Sequence, residues 1–387
     1  MQLLLLAISA ITIYILYAFA DYWARLRAIP HLVRDGASGG LPFVSVIIPV
    51  RNEERNIARC ITGVLAQHYG NYEVVVVDDG STDATPTMLA HYAAQDSRLR
   101  IIQGRALPAG WIGKCNACQH GSESAHGEWL LFLDADTTPQ PELLARLVAT
   151  AERRRLDMLT IYPFLELGSF WERMVLPPFI ALLTAIFPFQ RLDAPNMRPD
   201  EMIANGQCIF VKQTAYAAIG GHGAVRGEIL EDVRFAQALR AAGFTIGGAA
   251  GMQELRVRMY TNGREVAAGF IKNASAGYQS GAGRSFGAMA RLLAMALIPL
   301  WLIMAGLGIL LSGGGIFAWA ILAHGLITFL VATTFWGIFL LRLYAINPLY
   351  ALLWPIGLMS YCLIAAYGMW RVYRKQGVDW KGRRYTG

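Results

Sequence analysis

Between Arg291 and Arg342 the chain has no Asp, Glu, Lys or Arg, and residues 343–370 are again uncharged. A helix rises about 1.5 Å per residue, so roughly 20 apolar residues cross a bilayer core. The first stretch is long enough for two passes, with the Ser-Gly-Gly-Gly run at 312–315 as the turn, and the second makes a third. A C-terminal membrane region is therefore expected over 288–370. His324 lies in the second pass, where a helix-packing hydrogen bond and a functional role are the two readings. Residues 1–20 are also uncharged and long enough to span. Ala18-Phe19-Ala20 resembles a cleavage site, but no basic region precedes the apolar run, so a retained anchor is expected.

Composition agrees, with 55% hydrophobic and 16% charged residues. The net charge of +7 suits anionic lipid headgroups. No dense basic stripe runs through the middle of the chain, and no nucleic-acid partner is expected. Arg25, Arg27 and Arg34 follow the first span and place the middle of the chain in the cytoplasm, with the protein integral to the inner or plasma membrane. Three further spans would then put the basic tail, 371–387, outside, against the same rule. The prolines of "INPLYALLWP" offer a re-entrant segment, and the side of the tail stays open.

The five cysteines form no disulfide framework. Cys115-Asn-Ala-Cys118 is a lone CxxC without the second pair that zinc would need. Helical spacing accounts for it, with a redox role as the other reading.

Residues 42 to about 260 read as α/β. "VSVIIPV" at 44–50, "YEVVVVD" at 72–78, "LRIIQ" at 99–103, "EWLLFLDAD" at 128–136 and "LDMLTIYP" at 156–163 are short apolar runs separated by helical stretches. That alternation implies a mostly parallel sheet, which binds ligands at the carboxyl ends of its strands. Three polar clusters fall at those ends: Pro49 to Glu53, Asp78 to Asp83, and Asp134 to Asp136. Two carboxylates one residue apart repel unless a cation holds them, and hard oxygen ligands suit Mg²⁺ or Mn²⁺. A solvated turn explains "DAD" alone equally well. No phosphate-binding Gly-x-x-x-x-Gly-Lys-Ser/Thr loop is present, and no Gly-x-Gly-x-x-Gly follows the first strand.

"VSVIIPVRNEE", "VVVVDDGSTD", "GWIGKCNA", "LFLDAD" and "ILEDVRFAQALRAAG" occur in that order. Together they resemble a family 2 glycosyltransferase with the GT-A fold, over roughly residues 42–280. The flanking membrane segments resemble the branch with ceramide glucosyltransferases and the hopene-associated and carotenoid-type enzymes. The resemblance implies that Pro49 and Glu53 line the nucleotide pocket with Arg51 and Asn52 nearby. Asp79, beside Asp78, would face uracil and ribose, and Lys114 the diphosphate. Asp134 would bind the sugar or ribose side, Asp136 the metal with Asp134 beside it, and Asp232, next to Glu231, would be the catalytic base. A helix-terminal acid pair favoured by the dipole is the other account of Glu231-Asp232.

The implied reaction is a single, metal-assisted, inverting transfer from a nucleotide-diphosphate sugar, with UDP as the expected nucleotide, to a lipid hydroxyl. Polyprenyl-phosphate glycosylation or polysaccharide synthesis is the alternative. Processive synthases end this domain in Gln-x-x-Arg-Trp, whereas here "RVRMY" puts Arg258 before Tyr260, which counts against a polymer and sets Arg258 near the diphosphate. A transporter or scaffold would carry charges within its spans, and these are free of acids.

Residues 174–190 are apolar but broken by Pro177, Pro178 and Pro188, so a straight span is not expected. An interfacial segment would bring the site to lipid; a buried core helix is the other reading. Asn205 and Gln207 contact acceptor or sugar on one reading, and simply form a turn before a strand on the other.

Overall fold

The computed structural model describes residues 2–34, 40–279, 282–374, 378–380 and 383–385. Residues 1 and 280, at the ends of the expected anchor and catalytic unit, lie outside the described residues, as do 375–377, 381–382 and 386–387 of the expected tail.

The chain opens with α1 (Gln2–Arg27), then β1 (Val44–Val50), α2 (Ile57–Leu65), β2 (Tyr72–Asp78), α3 (Thr85–Ala93), β3 (Leu99–Gln103), α4 (Gly113–Glu123) and β4 (Trp129–Leu133). It continues through β5 (Thr137–Pro139), α5 (Leu143–Arg153), β6 (Met158–Tyr162), β7 (Phe164–Leu165), α6 (Phe170–Ile186), β8 (Cys208–Lys212), α7 (Gln213–Ala218) and α8 (Glu231–Ala241). Then come β9 (Ile246–Ala250), β10 (Leu255–Val257), α9 (Gly263–Gln279), α10 (Ala282–Leu311), α11 (Ile316–Tyr344), α12 (Trp354–Tyr373), β11 (Val378–Trp380) and β12 (Arg383–Tyr385).

Seven strands make the main sheet in the order β3-β2-β1-β4-β8-β6-β9. β1 runs parallel to β2 and β4, and β2 to β3. Their apolar, β-branched residues are almost wholly buried, as a sheet covered on both faces requires. β8 alone runs antiparallel to both its neighbours, β4 and β6. That reversal matters for the site. Cys208 at the start of β8 pairs with Leu133 at the end of β4, so residues 205–207 emerge at the edge where Asp134 emerges.

The loops after β1 and β2 are laced together. Asn52 holds a positive φ of 53°, its backbone N–H donates to Ser81 Oγ at 3.0 Å, and its Oδ1 accepts from the Thr82 N–H at 2.8 Å. Asn is among the few residues that enter this region at modest cost. The Glu53 N–H donates to Thr85 Oγ1 at 2.9 Å.

The proline-containing segment is helical. α6 is one continuous 17-residue helix containing Pro177 and Pro178, opened by a capping box between Ser169 and Glu172. Each proline removes a backbone donor, a cost of about 3 kcal/mol in an exposed helix. Both prolines are buried here with Met174, Val175, Leu176, Ala181 and Leu182, and the packing of that face offsets the cost. Among the described residues, four helical segments are long and apolar enough to cross a membrane: Leu5–Arg27, Met289–Leu311, Ile316–Tyr344 and Pro348–Arg371. His324 makes packing bonds, to Ser9 Oγ at 3.0 Å and Ala320 O at 2.8 Å, and so ties α11 to α1.

Leu131 sits in the middle of β4 with both neighbouring strands against it. Leu131→Ala is expected to cost about 2–5 kcal/mol, read as a lowered midpoint of thermal unfolding in detergent.

Candidate active site

The carboxyl edge of the sheet opens into a cavity of about 1700 Å³. Pro49, Glu53, Asp79, Lys114, Asp134 and Asp136 line it, as do Asn205, Gln207, Glu231 and Asp232. The parallel strands β1, β2 and β4 deliver Pro49, Glu53, Asp79, Asp134 and Asp136, the start of α4 delivers Lys114, the turn before reversed β8 delivers 205–207, and the first turn of α8 delivers the acid pair.

Lys114, near the start of α4, is the hub. Its Nζ lies 2.8 Å from Asp134 Oδ1, 2.9 Å from Glu231 Oε1 and 3.3 Å from the Gly206 carbonyl. Burial alone would lower its pKa, but Asp134 and Glu231 hold it well above the ordinary lysine range. The expected repulsion between Asp134 and Asp136 is thus relieved on one side by a lysine. The chain turns sharply between the two acids, where Thr137 donates to the Asp134 carbonyl from both its N–H (3.2 Å) and its hydroxyl (2.7 Å).

Asp232 faces the other side of the same glycine. Its Oδ2 accepts from the Gly206 N–H at 2.8 Å and its Oδ1 from the Val233 N–H at 2.8 Å. Burial, and then the neighbouring Glu231 charge, push its pKa up to about 6. Burial acts on Glu231 in the same direction, but Lys114 overcomes it and holds that carboxyl below its usual range. Two adjacent acids therefore differ in proton affinity, and Asp232 is the one suited to accept a proton.

Gly206 separates the two groups. A Cβ there would stand 3.0 Å from Lys114 Nζ and 3.1 Å from Asp232 Oδ2. Asn205 donates to the Ile161 carbonyl at 3.2 Å and to Gln207 Oε1 at 3.1 Å, which fixes this turn under the cavity floor.

Two of the expected residues stand apart from the cavity lining. Asp78 does not line the cavity: its Oδ1 accepts from the Ser81 N–H at 2.9 Å and shapes the turn that presents Asp79. Arg258 does not line it either. Its guanidinium packs on Gly168 and faces buried Glu172, with Nε 3.6 Å from Oε1. The acid that draws it away lies on α6, 86 positions earlier in the chain, beyond the reach of any local motif.

Gly206 and Lys272 were missed. Lys272, on α9, lines the cavity, and Glu231 raises its pKa against the larger effect of burial, which lowers it. The signal was present, for Lys272 is the only charged residue between Glu265 and Arg284. Cys115 and Cys118 are free and buried, and burial pushes both thiols up, far from a reactive thiolate.

A parallel sheet with one reversed strand, ending in acidic loops gathered around a lysine, is the architecture of a GT-A nucleotide-sugar transferase. Residues 45–220 match the family described as Glycosyl transferase family 2, and the chain carries a domain of that family. It is 38% identical over 121 residues to glycosyltransferase AglE of Haloferax volcanii, covering 31% of this chain and 38% of that protein. It is 28% identical over 198 residues to the beta-monoglucosyldiacylglycerol synthase of a Nostoc species, covering 50% and 41%. The chain thus spans about two fifths of the length of these relatives. A longer alignment, 25% identical over 351 residues, joins it to the 4,4'-diaponeurosporenoate glycosyltransferase of Staphylococcus aureus, covering 89% and 88%. In fold it is similar to a mannosyltransferase of Pyrobaculum calidifontis solved with GDP-Man and Mn²⁺. The TM-score is 0.53 at 18% identity, covering 94% of this chain and 99% of that one.

Gly206→Ala is expected to displace Lys114 or Asp232 and lower kcat/KM by about 10²-fold, the scale of a 1 Å misplacement.

Proposed function

We propose that the protein is a membrane-bound inverting glycosyltransferase that moves one sugar from a nucleotide-diphosphate sugar, UDP-linked, to a lipid hydroxyl, with its catalytic domain on the cytoplasmic side. The observation that carries this reading is the pairing across Gly206. On one side is a lysine held cationic, and on the other a carboxylate whose proton affinity is raised to about pH 6. The names of the diacylglycerol and diaponeurosporenoate relatives support a lipid acceptor.

Each side chain then has a task. Asp79, with Glu53 and Pro49, borders the part of the cavity that receives the nucleoside. Lys114 is the fixed cation for charge that develops on the departing diphosphate. Asp232 takes the proton of the acceptor hydroxyl as it attacks the anomeric carbon from the face opposite the leaving group, which inverts the configuration. A pKa near 6 leaves it ionised at neutral pH, yet a stronger base than an ordinary aspartate.

Asp134 and Asp136 line one wall of the cavity and offer hard oxygen donors. Among the described residues no group of three or more His, Cys, Asp or Glu side chains gathers as a metal cage. That set fits an ion that keeps waters and takes phosphate oxygens rather than one caged by protein, so these two residues would hold Mg²⁺ or Mn²⁺. When bound, the ion supplies Lewis-acid stabilisation of the diphosphate.

The test is transfer of labelled sugar from a panel of nucleotide sugars into total membrane lipid, with purified protein in nanodiscs and Mn²⁺. Asp232→Asn is expected to lower kcat by about 10²–10⁴-fold, while Asp136→Ala abolishes the metal-dependent signal. Label found only on polyprenyl phosphate or in a polymer would favour those reactions instead. Failure to bind any nucleotide would overturn the proposal.

The pH profile gives a second check. kcat/KM should fall on the acid side with an apparent pKa of about 6, as Asp232 gains its proton. Glu231→Gln removes a charge that raises that pKa, so the acid limb should move to lower pH.

A further inference from the structure

The segment Pro348–Arg371 is long and apolar enough to cross a bilayer, but its packing places it elsewhere. α11 has 29 residues, about 43 Å at 1.5 Å each, whereas the hydrocarbon core is about 30 Å. Counted from the uncharged turn at 312–315, roughly 20 residues of α11 cross and the core ends near Phe335. An aromatic layer marks that level. Phe19 of α1 lies 4.6 Å from Phe335, and Tyr22 lies 5.9 Å from Phe339. Tyr22, Trp23 and Trp336 stand beside Phe335 at this level, and Trp and Tyr collect where hydrocarbon meets water.

α12 begins in this layer. Trp354 stacks on Trp336 at 6.1 Å, and its Nε1 donates to Thr333 Oγ1 at 3.2 Å. From there a spanning helix would run back along α11. Instead α12 runs chiefly against α9 and α6, with a smaller contact on α10. Gly357 sits on the Met174 carbonyl, and Tyr361 lies 5.9 Å from Phe179 and 5.5 Å from Phe270. Contacts that advance together, 174 with 357 and 179 with 361, make α6 and α12 parallel.

α6 cannot cross the bilayer, because β7 before it and β8 after it belong to one catalytic unit. Both ends of α6 reach the aromatic layer region: Arg173 donates to Tyr350 Oη at 3.1 Å, and Thr184 donates to Tyr22 Oη at 2.7 Å. Farther along α12, Tyr361, Ala365 and Met369 line the same cavity as Asp232. After α12, strand β11 packs on α9, whose Lys272 also lines that cavity.

We propose that α12 does not cross the membrane but lies in the leaflet facing the catalytic domain, paired with α6 as a docking platform for the lipid surface. Its outer stripe, Ile356, Met359, Leu363, Tyr367 and Trp370, is exposed and apolar and meets the acyl region. The inner stripe, Leu358, Tyr361, Cys362 and Ala365, is buried against the protein. The chain then has three spans, and the basic tail returns to the catalytic side. Arg342, Arg371 and Arg374 then lie toward the catalytic side, as the excess of Lys and Arg on the cytoplasmic face predicts, while the turn at 312–315 has no charge. The orientation conflict left by four spans disappears.

The test uses the full-length protein in membrane vesicles of both orientations. Tyr373→Cys and Ser312→Cys place single reporters at exposed positions, since every native cysteine is buried. A membrane-impermeant maleimide should label the two variants from opposite faces, Tyr373→Cys only where the catalytic domain is exposed. Labelling of both from the same face would establish four spans and overturn the proposal. C-terminal fusions give an independent reading. A fluorescent protein that matures only in the cytoplasm and a phosphatase active only outside it should report the tail on the side of the catalytic domain, and a tail on the opposite side from that domain would overturn it.

Discussion

The ion pairs of Lys114 hold the site together. One ammonium joins Asp134 from the end of β4 to Glu231 from the start of α8, and its third contact is the Gly206 carbonyl before β8. These elements are far apart in sequence and converge only because β8 runs backwards in the sheet. Buried ion pairs often contribute little net stability, since desolvation opposes the Coulomb gain. What this one provides is position. It keeps the cation beside Asp134 and Glu231, and leaves Glu231 and the adjacent Asp232 with proton affinities that differ.

Much of the sheet was legible because a parallel strand buried on both faces must be continuously apolar. β1, β2 and β3 lie where their β-branched runs lie in the sequence. The edge that carries the site was legible for the same reason: a parallel sheet sends its acidic loops to one side. What could not be read was which acids face inward. Asp78 and Asp79 are neighbours, and only the turn through Ser81 decides that one caps and the other lines the cavity. Nor could the turn of Arg258 toward Glu172 be read, because that pair is a long-range contact. Gly206 has no side chain to notice, and its importance lies in the space it leaves.

The prolines show a second limit. Local rules treat Pro177 and Pro178 as breakers, and in an isolated peptide they would be. Within the fold, helix stability comes chiefly from tertiary packing of a face. α6 buries both rings against its neighbours and stays continuous. Its apolar character therefore reports where it packs, between a catalytic chamber and the membrane helices.

That placement gives the cavity two chemically different ends. Around Lys114 the walls are charged and suited to a diphosphate. Toward Phe179, Leu183 and Trp23 they are apolar, formed by α6 and the inner end of α1. A soluble acceptor would gain nothing from the second end, whereas an amphiphile would bury its chain there at about 25 cal/mol per Å² of apolar surface. Its hydroxyl is then drawn toward the polar end, where Asp232 stands. The same burial that favours the chain also strips water from Asp232 and raises its proton affinity. On the proposed function, recognition of an apolar acceptor and activation of its hydroxyl would follow from one physical cause, the low dielectric of a buried chamber.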